Sequence, residues 1–167
     1  MDKHDTAPLY RLNLKNPWHL LAVGFGSGLM PKAPGTFGSL AALPICAVLV
    51  YLPWYVSVFF ILCFCVLATF ACAKAEAALG MHDNSCIVAD EFAGMFISVL
   101  FYPQDFRWCF LAFVLFRLFD IIKPFPVSWA DKKIKGATGV MLDDILAAFF
   151  VLFVSQIVFW CLGLAVF

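Results

Sequence analysis

The amino-acid sequence predicts an all-α protein, a polytopic membrane bundle of about four to five helices with an N-terminal Gly/Pro-rich re-entrant or interfacial loop. Hydrophobic residues make up 64% of the 167 residues and charged residues 13%, and the mean hydropathy is +0.95. Soluble domains are nearer to about 45–50% apolar and about 25% charged. Long uncharged segments alternate with short stretches that hold the charges, glycines and prolines. The formal net charge is zero, so no electrostatic field predicts a nucleic-acid partner.

The chain divides into a short polar arm and one membrane-embedded domain. Residues 1–17 are polar and mildly basic, and they lack the apolar stretch that a signal peptide needs. We therefore expect a cytoplasmic N-terminal arm over residues 1–17 and a single domain over residues 18–167. Neither an internal repeat nor a low-complexity segment divides that domain.

Residues 18–39 hold too many helix breakers for a membrane-spanning helix. Pro31 and Pro34 are interspersed with five glycines, Gly24, Gly26, Gly28, Gly35 and Gly38. Such a loop can bring backbone N–H groups close to an anion. Thr36 or Ser39 would cap the helix that follows, and the N-terminus of that helix would attract phosphate. A re-entrant or interfacial turn without a ligand explains the same spacing, and both interpretations stay open here.

Breaker residues divide the apolar remainder into five predicted helices. Proline disfavours a helical conformation in the residue before it and starts helices well, so Leu52-Pro53-Trp54 marks a turn between the first two. Gly80 ends the second helix, and Lys123-Pro124 ends the fourth. The predicted helices cover residues 38–51, 54–77, 87–102, 107–122 and 139–165, with a basic loop over residues 123–138.

The lysines predict the orientation in the membrane. Five segments put the N-terminal arm, the 78–86 loop and the 123–138 loop on one side, and all the lysines lie on or next to that side. Positively charged loops stay in the cytoplasm, so we expect a multi-pass protein whose lysine-rich side is cytoplasmic. The third and fourth segments are short and carry charges. They could cross the bilayer as two spans or form a partly sunken hairpin.

Carboxylates fall near the cytoplasmic ends of three predicted helices: Asp90, Glu91, Asp120, Asp143 and Asp144. Crowded carboxylates repel one another unless a cation neutralises them. Oxygen ligands without histidine favour Mg²⁺, with Mn²⁺ as the second choice. Lys32, Arg117 and Lys123 lie beside them and suit a phosphoryl group, so the pattern predicts an enzyme that acts on a phosphate-bearing lipid. The alternative is that each charge only stabilises a helix end.

Other phosphatase chemistries lack their residues in this chain. No cysteine has the arginine of a Cys-x5-Arg loop, no histidine-nucleophile motif is present, and no D-x-D pair occurs. Metal-activated water with a carboxylate as general base fits the composition best, and a covalent aspartyl route stays open. The seven cysteines show no zinc-finger spacing, so we expect reduced thiols that pack as small hydrophobic groups.

Motifs throughout residues 17–150 resemble those of the phosphatidylglycerophosphatase A family. They are Gly26-Ser27-Gly28, Pro31-x-Ala33-Pro34-Gly35-Thr36-x-Gly38-Ser39, His82-Asp83, Ile87-Val88-x-Asp90-Glu91-x-x-Gly94, Phe116-Arg117-x-Phe119-Asp120-Ile121-x-Lys123-Pro124-x-Pro126 and Gly139-Val140-Met141-x-Asp143-Asp144. The resemblance implies a Mg²⁺-dependent enzyme of the bacterial inner membrane that hydrolyses phosphatidylglycerophosphate to phosphatidylglycerol and inorganic phosphate. Two departures, Ala137-Thr138 and Ala148 where glycines are expected, concern loop geometry and helix packing.

The resemblance also implies roles for individual residues. The candidates for metal binding and base catalysis are Asp90, Glu91, Asp120, Asp143 and Asp144. The candidates for contact with the substrate phosphate are Thr36, Ser39, Arg117 and Lys123, and Lys32 joins them because of its position in the Gly/Pro-rich loop. An active site that faces the cytoplasm would take its anionic phospholipid substrate from the surrounding membrane lipids.

Two other functions share some of these features. A CDP-alcohol phosphotransferase also uses intramembrane aspartates and Mg²⁺, but its D-G-x2-A-R…G-x3-D-x3-D pattern is absent. A proton-coupled transporter would carry its carboxylates near the midplane and in paired half-helices, whereas these carboxylates crowd one face. The sequence leaves the formation of a homo-oligomer open.

Overall fold

The computed structural model describes residues 11–81, 84–134 and 136–164, and within these ranges all regular secondary structure is helical. The helices are α1 (Pro17–Ala22), α2 (Pro34–Leu49), α3 (Trp54–Leu79), α4 (Ala89–Ser98), α5 (Trp108–Ile122), α6 (Val127–Lys133) and α7 (Ala137–Cys161), with a short 3₁₀ segment, Gly24–Leu29, after α1. The prediction of an all-α protein is confirmed. Residues 1–10 of the predicted arm and the His82-Asp83 motif lie outside the described residues.

Several helix ends follow the breakers in the sequence. α3 starts directly after Pro53 and ends at Gly80, whose left-handed backbone (φ +71°) an L side chain rarely adopts. α5 ends before Lys123, which itself takes a left-handed conformation (φ +47°) as the C-cap. The α2–α3 turn and the stops at Gly80 and Lys123 therefore lie where the sequence predicts them.

The predicted start of α2 is wrong. The helix begins at Pro34 and not at residue 38, and the left-handed Ala33 (φ +50°) is its N-cap. Thr36 and Ser39 therefore lie inside the helix and do not cap it. The Ser39 hydroxyl donates to the carbonyl oxygen of the residue four positions earlier (2.9 Å). The proline at the first helical position explains the earlier start, because its fixed φ favours a helix there.

The prediction that residues 123–138 form only a basic loop is also wrong. Residues Val127–Lys133 form α6, which packs on α7. Val127 and Ala130, three positions apart, are fully buried. An apolar pair of this kind is too short to give a helical periodicity in the sequence, so α6 depends on its contact with α7.

α4 is the central helix of the bundle and contacts α2, α3, α5 and α7. Every one of its residues is buried except Glu91, which is partly exposed. The close packing needs Gly94, where an added Cβ atom would collide with the Phe116 ring and lie 3.3 Å from the Asp144 carbonyl oxygen. At about 1.5 Å per residue, α4 is about 15 Å long and cannot cross a bilayer core of about 30 Å. The short span predicted over residues 87–102 is thus a shorter, enclosed helix.

Two of the described helices, α3 and α7, are long and apolar enough to cross a membrane. They have 26 and 25 residues, and their most apolar windows have mean hydropathies of 2.6 and 2.1. Only 28% and 33% of those windows are buried, so most of their side chains are at least partly exposed. Outward-facing apolar helices of this length fit a membrane protein.

The bundle has two ends, which α2 connects over its 16 residues, or about 24 Å. At one end the α2–α3 turn and the α4–α5 loop line a cavity of about 520 Å³ that includes Trp54 and Tyr102. We call this the aromatic end. At the other end the first turns of α2 and α4 meet the last turns of α5 and the second turn of α7. All seven cysteines are unpaired, as the sequence predicts.

Candidate active site

A cavity of about 290 Å³, here called the carboxylate cavity, opens at the end of the bundle where the charged residues lie. The starts of α2, α4 and α7 and the end of α5 form it, and the loop before α4 completes the wall. Its lining residues are Ala33, Pro34, Gly35, Asn84, Ser85, Ile87, Asp90, Glu91, Arg117, Asp120, Lys123, Val140, Asp143 and Asp144. The structure thus brings together all of the predicted carboxylates and two of the predicted phosphate contacts.

Asp90, Glu91 and Asp144 form the tightest group in this cavity. Each offers a carboxylate oxygen, and the three oxygens lie within 4.8 Å of one another. One buried oxygen of each residue (Asp90 Oδ1, Glu91 Oε2 and Asp144 Oδ2) accepts no hydrogen bond within the described chain. A buried charge without a partner is costly, so this geometry suits a bound cation. A donor set made only of oxygens fits a hard divalent ion.

Burial and mutual repulsion act on the carboxylates of α4, which lies outside the two helices long enough to span a membrane. Burial, followed by the charge of Glu91, raises the pKa of Asp90 well above its ordinary range. Burial, followed by the charge of Asp144, raises the pKa of Glu91 to about 8. Both shifts reflect the cost of several negative charges in a small volume, and a bound cation would reverse them.

Two cationic side chains reach the cavity from the end of α5. Arg117 Nη1 lies 2.7 Å from Asp120 Oδ2, one turn later in the same helix. Lys123 Nζ lies 2.8 Å from Asp143 Oδ2 of α7. Arg117 Nε is buried and donates no hydrogen bond within the described chain, so it is available for a phosphate oxygen. Asp120 and Asp143 thus each lie next to a cationic side chain, and the other three carboxylates form the convergent group described above.

Gly35 brings the backbone of α2 against the charged groups. A Cβ atom added there would collide with Glu91 Oε1 and lie 3.3 Å from Arg117 Nη1. Any side chain at this position would displace the carboxylate or fill the cavity. Glycine thus permits this close approach without displacing the carboxylate, while the backbone itself has an ordinary helical conformation.

Three other glycines of the Gly/Pro-rich loop pack against the segment that leads into α4. Added Cβ atoms at Gly24 and Gly38 would each lie 2.7 Å from side-chain atoms of Val88, and one at Gly28 would collide with the Cys86 carbonyl oxygen. The sequence left open whether this loop binds an anion or only turns. In the structure most of its glycines support the approach to α4, and none of these three lines the cavity.

Lys32, Thr36 and Ser39 do not line the carboxylate cavity. Lys32 is exposed, Thr36 is half-buried in the first turn of α2, and Ser39 is fully buried with its hydroxyl bound to its own helix. Of the predicted phosphate contacts, only Arg117 and Lys123 share the cavity with the carboxylates.

The sequence alone did not indicate Asn84 and Ser85, which also line the cavity. Asn84 Oδ1 accepts a hydrogen bond from Cys86 N (3.0 Å), which is the arrangement of an Asx turn. A signal was present, because these residues belong to a short polar stretch directly before the acidic start of α4. Taken locally, that stretch predicts no more than a turn.

Comparisons with known proteins identify relatives over most of the chain. The sequence model of the family described as phosphatidylglycerophosphatase A matches residues 20–159. A Haemophilus influenzae protein named phosphatidylglycerophosphatase A is 47% identical over 160 residues, which are 93% of this chain and 97% of the relative. An Escherichia coli K12 protein of the same name is 42% identical over 148 residues, or 88% of this chain and 86% of the relative.

A third relative has a different name. This Bacteroides thetaiotaomicron protein, provisionally named a phosphatidylinositol-3-phosphatase, is 39% identical over 152 residues, 86% of this chain and 94% of its own. No solved structure gives a significant match. The family model spans every residue that lines the carboxylate cavity. The chain belongs to the phosphatidylglycerophosphatase A family.

Proposed function

We propose that this protein is a lipid phosphatase that hydrolyses phosphatidylglycerophosphate to phosphatidylglycerol and inorganic phosphate. The observation that carries this proposal is the carboxylate cavity, where three largely buried carboxylates with unpaired oxygens share a small space with Arg117 and Lys123. Cationic side chains next to a cation site suit a phosphomonoester, which carries the opposite charge. The names of the Haemophilus influenzae and Escherichia coli relatives agree with this substrate.

We propose Mg²⁺ as the cofactor, with Mn²⁺ as the alternative, held by Asp90, Glu91 and Asp144. The support is that their unpaired oxygens converge and that the group contains no nitrogen or sulfur donor. When bound, such an ion neutralises charge on the phosphoryl oxygens and makes a nearby water more acidic. Asp120 and Asp143 belong to the same cavity, but we assign them to the cationic side chains with which they pair.

The protein's own side chains orient the phosphate and move protons. Arg117 and Lys123, held by Asp120 and Asp143, bind phosphate oxygens and turn the phosphorus towards the carboxylates. Hydrolysis forms a bond between a water oxygen and phosphorus and breaks the bond between phosphorus and the glycerol oxygen. A carboxylate of the cavity accepts the proton that the water loses, and the glycerol oxygen takes up a proton as it leaves.

We also propose that the protein is a multi-pass protein of the bacterial inner membrane whose carboxylate cavity faces the cytoplasm. The two long apolar helices, the bacterial sources of the relatives and the one-sided lysines support this location. The phosphate of an anionic phospholipid then reaches the cavity from the cytoplasmic leaflet, while its acyl chains stay among the membrane lipids.

Phosphate release from phosphatidylglycerophosphate by the purified protein tests both the reaction and the cofactor. We expect turnover with Mg²⁺, loss of turnover in excess EDTA and recovery when Mg²⁺ is returned. Phosphatidylinositol 3-phosphate in the same mixed micelles is the comparison substrate, because the name of one relative points to it. Undiminished turnover in excess EDTA would contradict the metal site. Faster hydrolysis of the phosphoinositide would contradict the substrate.

A further inference from the structure

The carboxylate cavity has an uncharged wall, formed by Asn84 and Ser85. Both side chains come from the loop before α4, and both carry hydrogen-bonding groups without a charge. All the other polar side chains that line the cavity are carboxylates or cations. The proposed hydrolysis involves only those charged groups and assigns no role to Asn84 or Ser85.

The most buried carboxylates of the cavity and its uncharged polar pair differ in exposure, while Glu91, Arg117, Asp120 and Lys123 are partly exposed, as Asn84 is. Asp90 and Asp144 are only 5% and 4% exposed. Asn84, by contrast, is partly exposed, and Ser85 is exposed. A ligand group that reaches Asp90 and Asp144 therefore lies inside the cavity, and a group that binds Ser85, with Asn84 beside it in the chain, lies nearer the mouth.

The chemical groups of the substrate can be placed at increasing distance from the buried carboxylates, in the order in which they are bonded. The terminal phosphate would lie innermost, next comes a glycerol unit with one free hydroxyl, and then the phosphodiester and the diacylglycerol. At about 290 Å³ the cavity is near the lower limit of ligand pockets, which measure roughly 300–1,000 Å³. It can therefore hold a head group and leaves the acyl chains outside, with the glycerol unit at the mouth.

The Asx turn leaves the amide of Asn84 available for this glycerol unit. Asn84 Oδ1 accepts from Cys86 N (3.0 Å), and the Asn84 carbonyl oxygen accepts from Ile87 N (2.9 Å). The side-chain nitrogen of Asn84 takes no part in the turn and can donate to a ligand oxygen. The Ser85 hydroxyl can donate as well as accept, so the two side chains together match the needs of an alcohol.

We propose that Asn84 and Ser85 bind the free hydroxyl of the middle glycerol, which is the glycerol between the terminal phosphate and the phosphodiester. They would thereby select a glycerol phosphate head group. This inference rests on the proposed function and names the part of the substrate on which the specificity of the enzyme depends. A site that hydrogen-bonds a substrate hydroxyl discriminates against an analogue that lacks it, because its own polar groups are then left unpaired. The two residues are specificity-determining residues and transfer no proton.

The test compares phosphatidylglycerophosphate with an analogue in which 1,3-propanediol replaces the middle glycerol, both in mixed micelles with Mg²⁺. For the wild-type protein we expect kcat/KM to be at least about 10-fold higher with the natural substrate. In the Asn84→Ser/Ser85→Ala variant this ratio should fall to about 3 or less, through slower hydrolysis of the natural substrate alone. The new hydroxyl at position 84 still offers an oxygen to Cys86 N, which preserves the turn.

Ser128→Ala is the matched control, because Ser128 is a partly exposed residue of α6 that does not line the cavity, and it should keep the wild-type ratio. Ser85→Ala alone changes only an exposed side chain, so it tests the proposal if the double variant does not fold. It should also lower the ratio of kcat/KM between the two substrates. An unchanged ratio, equal slowing of both substrates, or a wild-type protein without preference would overturn the inference alone. No phosphate release from the natural substrate by the wild-type protein would overturn the proposed function together with it.

Discussion

At the scale of single residues, the five carboxylates of the cavity fall into two groups with different partners. Asp120 and Asp143 each lie within 2.8 Å of a cationic side chain, whereas Asp90, Glu91 and Asp144 offer carboxylate oxygens that lie within 4.8 Å of one another. Successive residues of a helix point about 100° apart, which is why the neighbours on α7 have different surroundings. The two groups should therefore respond differently to the loss of charge.

Asp144→Asn should lower kcat by at least about 100-fold, or roughly 3 kcal/mol, because it removes a proposed ligand of a metal ion that would act in the transition state. Asp143→Asn should mainly raise KM, because it weakens the ion pair that positions Lys123, the proposed contact of the phosphate in the ground state. Steady-state kinetics at saturating Mg²⁺ distinguish the two effects. Asp105→Asn, in the exposed pair with Arg107 away from the cavity, is the control and should keep wild-type kinetics. Equal losses of kcat in the Asp143 and Asp144 variants would contradict the division.

Glu91 should make the binding of Mg²⁺ depend on pH. Its pKa is raised to about 8 without a cation, so below this pH the carboxyl group holds a proton that a cation must displace. The apparent affinity for Mg²⁺ should therefore rise by at least about tenfold per pH unit as the pH increases towards about 8. Glu91→Gln has no such proton and should show a flatter dependence. Calorimetric titration with Mg²⁺ across this range provides the measurement, and a constant wild-type affinity is the contrary result.

The convergence of the carboxylates could be predicted because each lies near the end of an apolar segment. When such segments pack side by side, their charged ends lie at the same face of the bundle. The division between Asp143 and Asp144 could not be predicted, since it depends on the direction of single side chains. The contact of Gly35 with Glu91 was equally inaccessible, because it joins residues far apart in the sequence. For the same reason Lys32 seemed closer to the site than the structure places it.

At the scale of secondary-structure elements, α6 has one face in the core and an apolar face outside it. Val127 is fully buried, whereas Trp129 is 50% exposed and Phe125, just before the helix, is 79% exposed. Lys132 and Lys133 follow in the last turn, and both are exposed. Exposed aromatic side chains beside lysines are typical of the boundary between lipid and water. We therefore expect α6 to lie at the level of the lipid head groups beside the carboxylate cavity.

Phe125→Ser/Trp129→Ser should raise KM for phosphatidylglycerophosphate in proteoliposomes by about 5-fold and leave kcat near the wild-type value, because α6 then holds the cavity less firmly at the lipid surface. KM is measured as a surface mole fraction. Tyr51→Ser/Trp54→Ser removes exposed aromatic side chains from the opposite end and should leave KM unchanged. A variant of α6 with lower kcat and unchanged KM would mean that α6 acts on the chemistry instead.

α3 illustrates what the sequence predicts well, since a long apolar run between Pro53 and Gly80 admits one helix and little else. α4 illustrates the limit. Residues 87–102 are apolar enough for a short membrane span. Nothing in their composition indicates that the helix ends at Ser98 or that four other helices enclose it. Burial on all sides depends on Gly94 and on the helices around it, which a local pattern does not contain.

At the scale of the whole molecule, charge and apolar surface are separated. The carboxylate cavity lies at one end of α2 and the aromatic end lies at the other, and apolar side chains of α3 and α7 cover much of the surface between them. This separation is the arrangement that a bilayer imposes, because charged groups are excluded from hydrocarbon. The orientation of the bundle is then a property that can be measured directly.

Cysteines introduced by Lys133→Cys and Asp105→Cys should be labelled by a membrane-impermeant maleimide from opposite sides of the membrane. Lys133 is in α6, which follows the cavity residue Lys123 in the chain, and Asp105 is in the α4–α5 loop at the aromatic end. Cys63 and Cys161 are exposed and are replaced first, so that they give no background. Labelling of both positions from the same side would contradict the proposed orientation and would favour a partly sunken α4–α5 pair.

The unequal lengths of the helices have a consequence for the bilayer itself. α3 measures about 39 Å and α2 about 24 Å, so a hydrocarbon core of about 30 Å cannot match both. Hydrophobic mismatch of this kind is relieved by tilting the longer helix and thinning the leaflet around the shorter one. The first turn of α2 lines the carboxylate cavity, so we expect any thinning of the bilayer around α2 to occur next to the cavity mouth. If the bilayer thins there, lipid phosphates would lie closer to the carboxylates than elsewhere in the leaflet, and the shape of the bundle would itself help to bring a lipid substrate to the cavity.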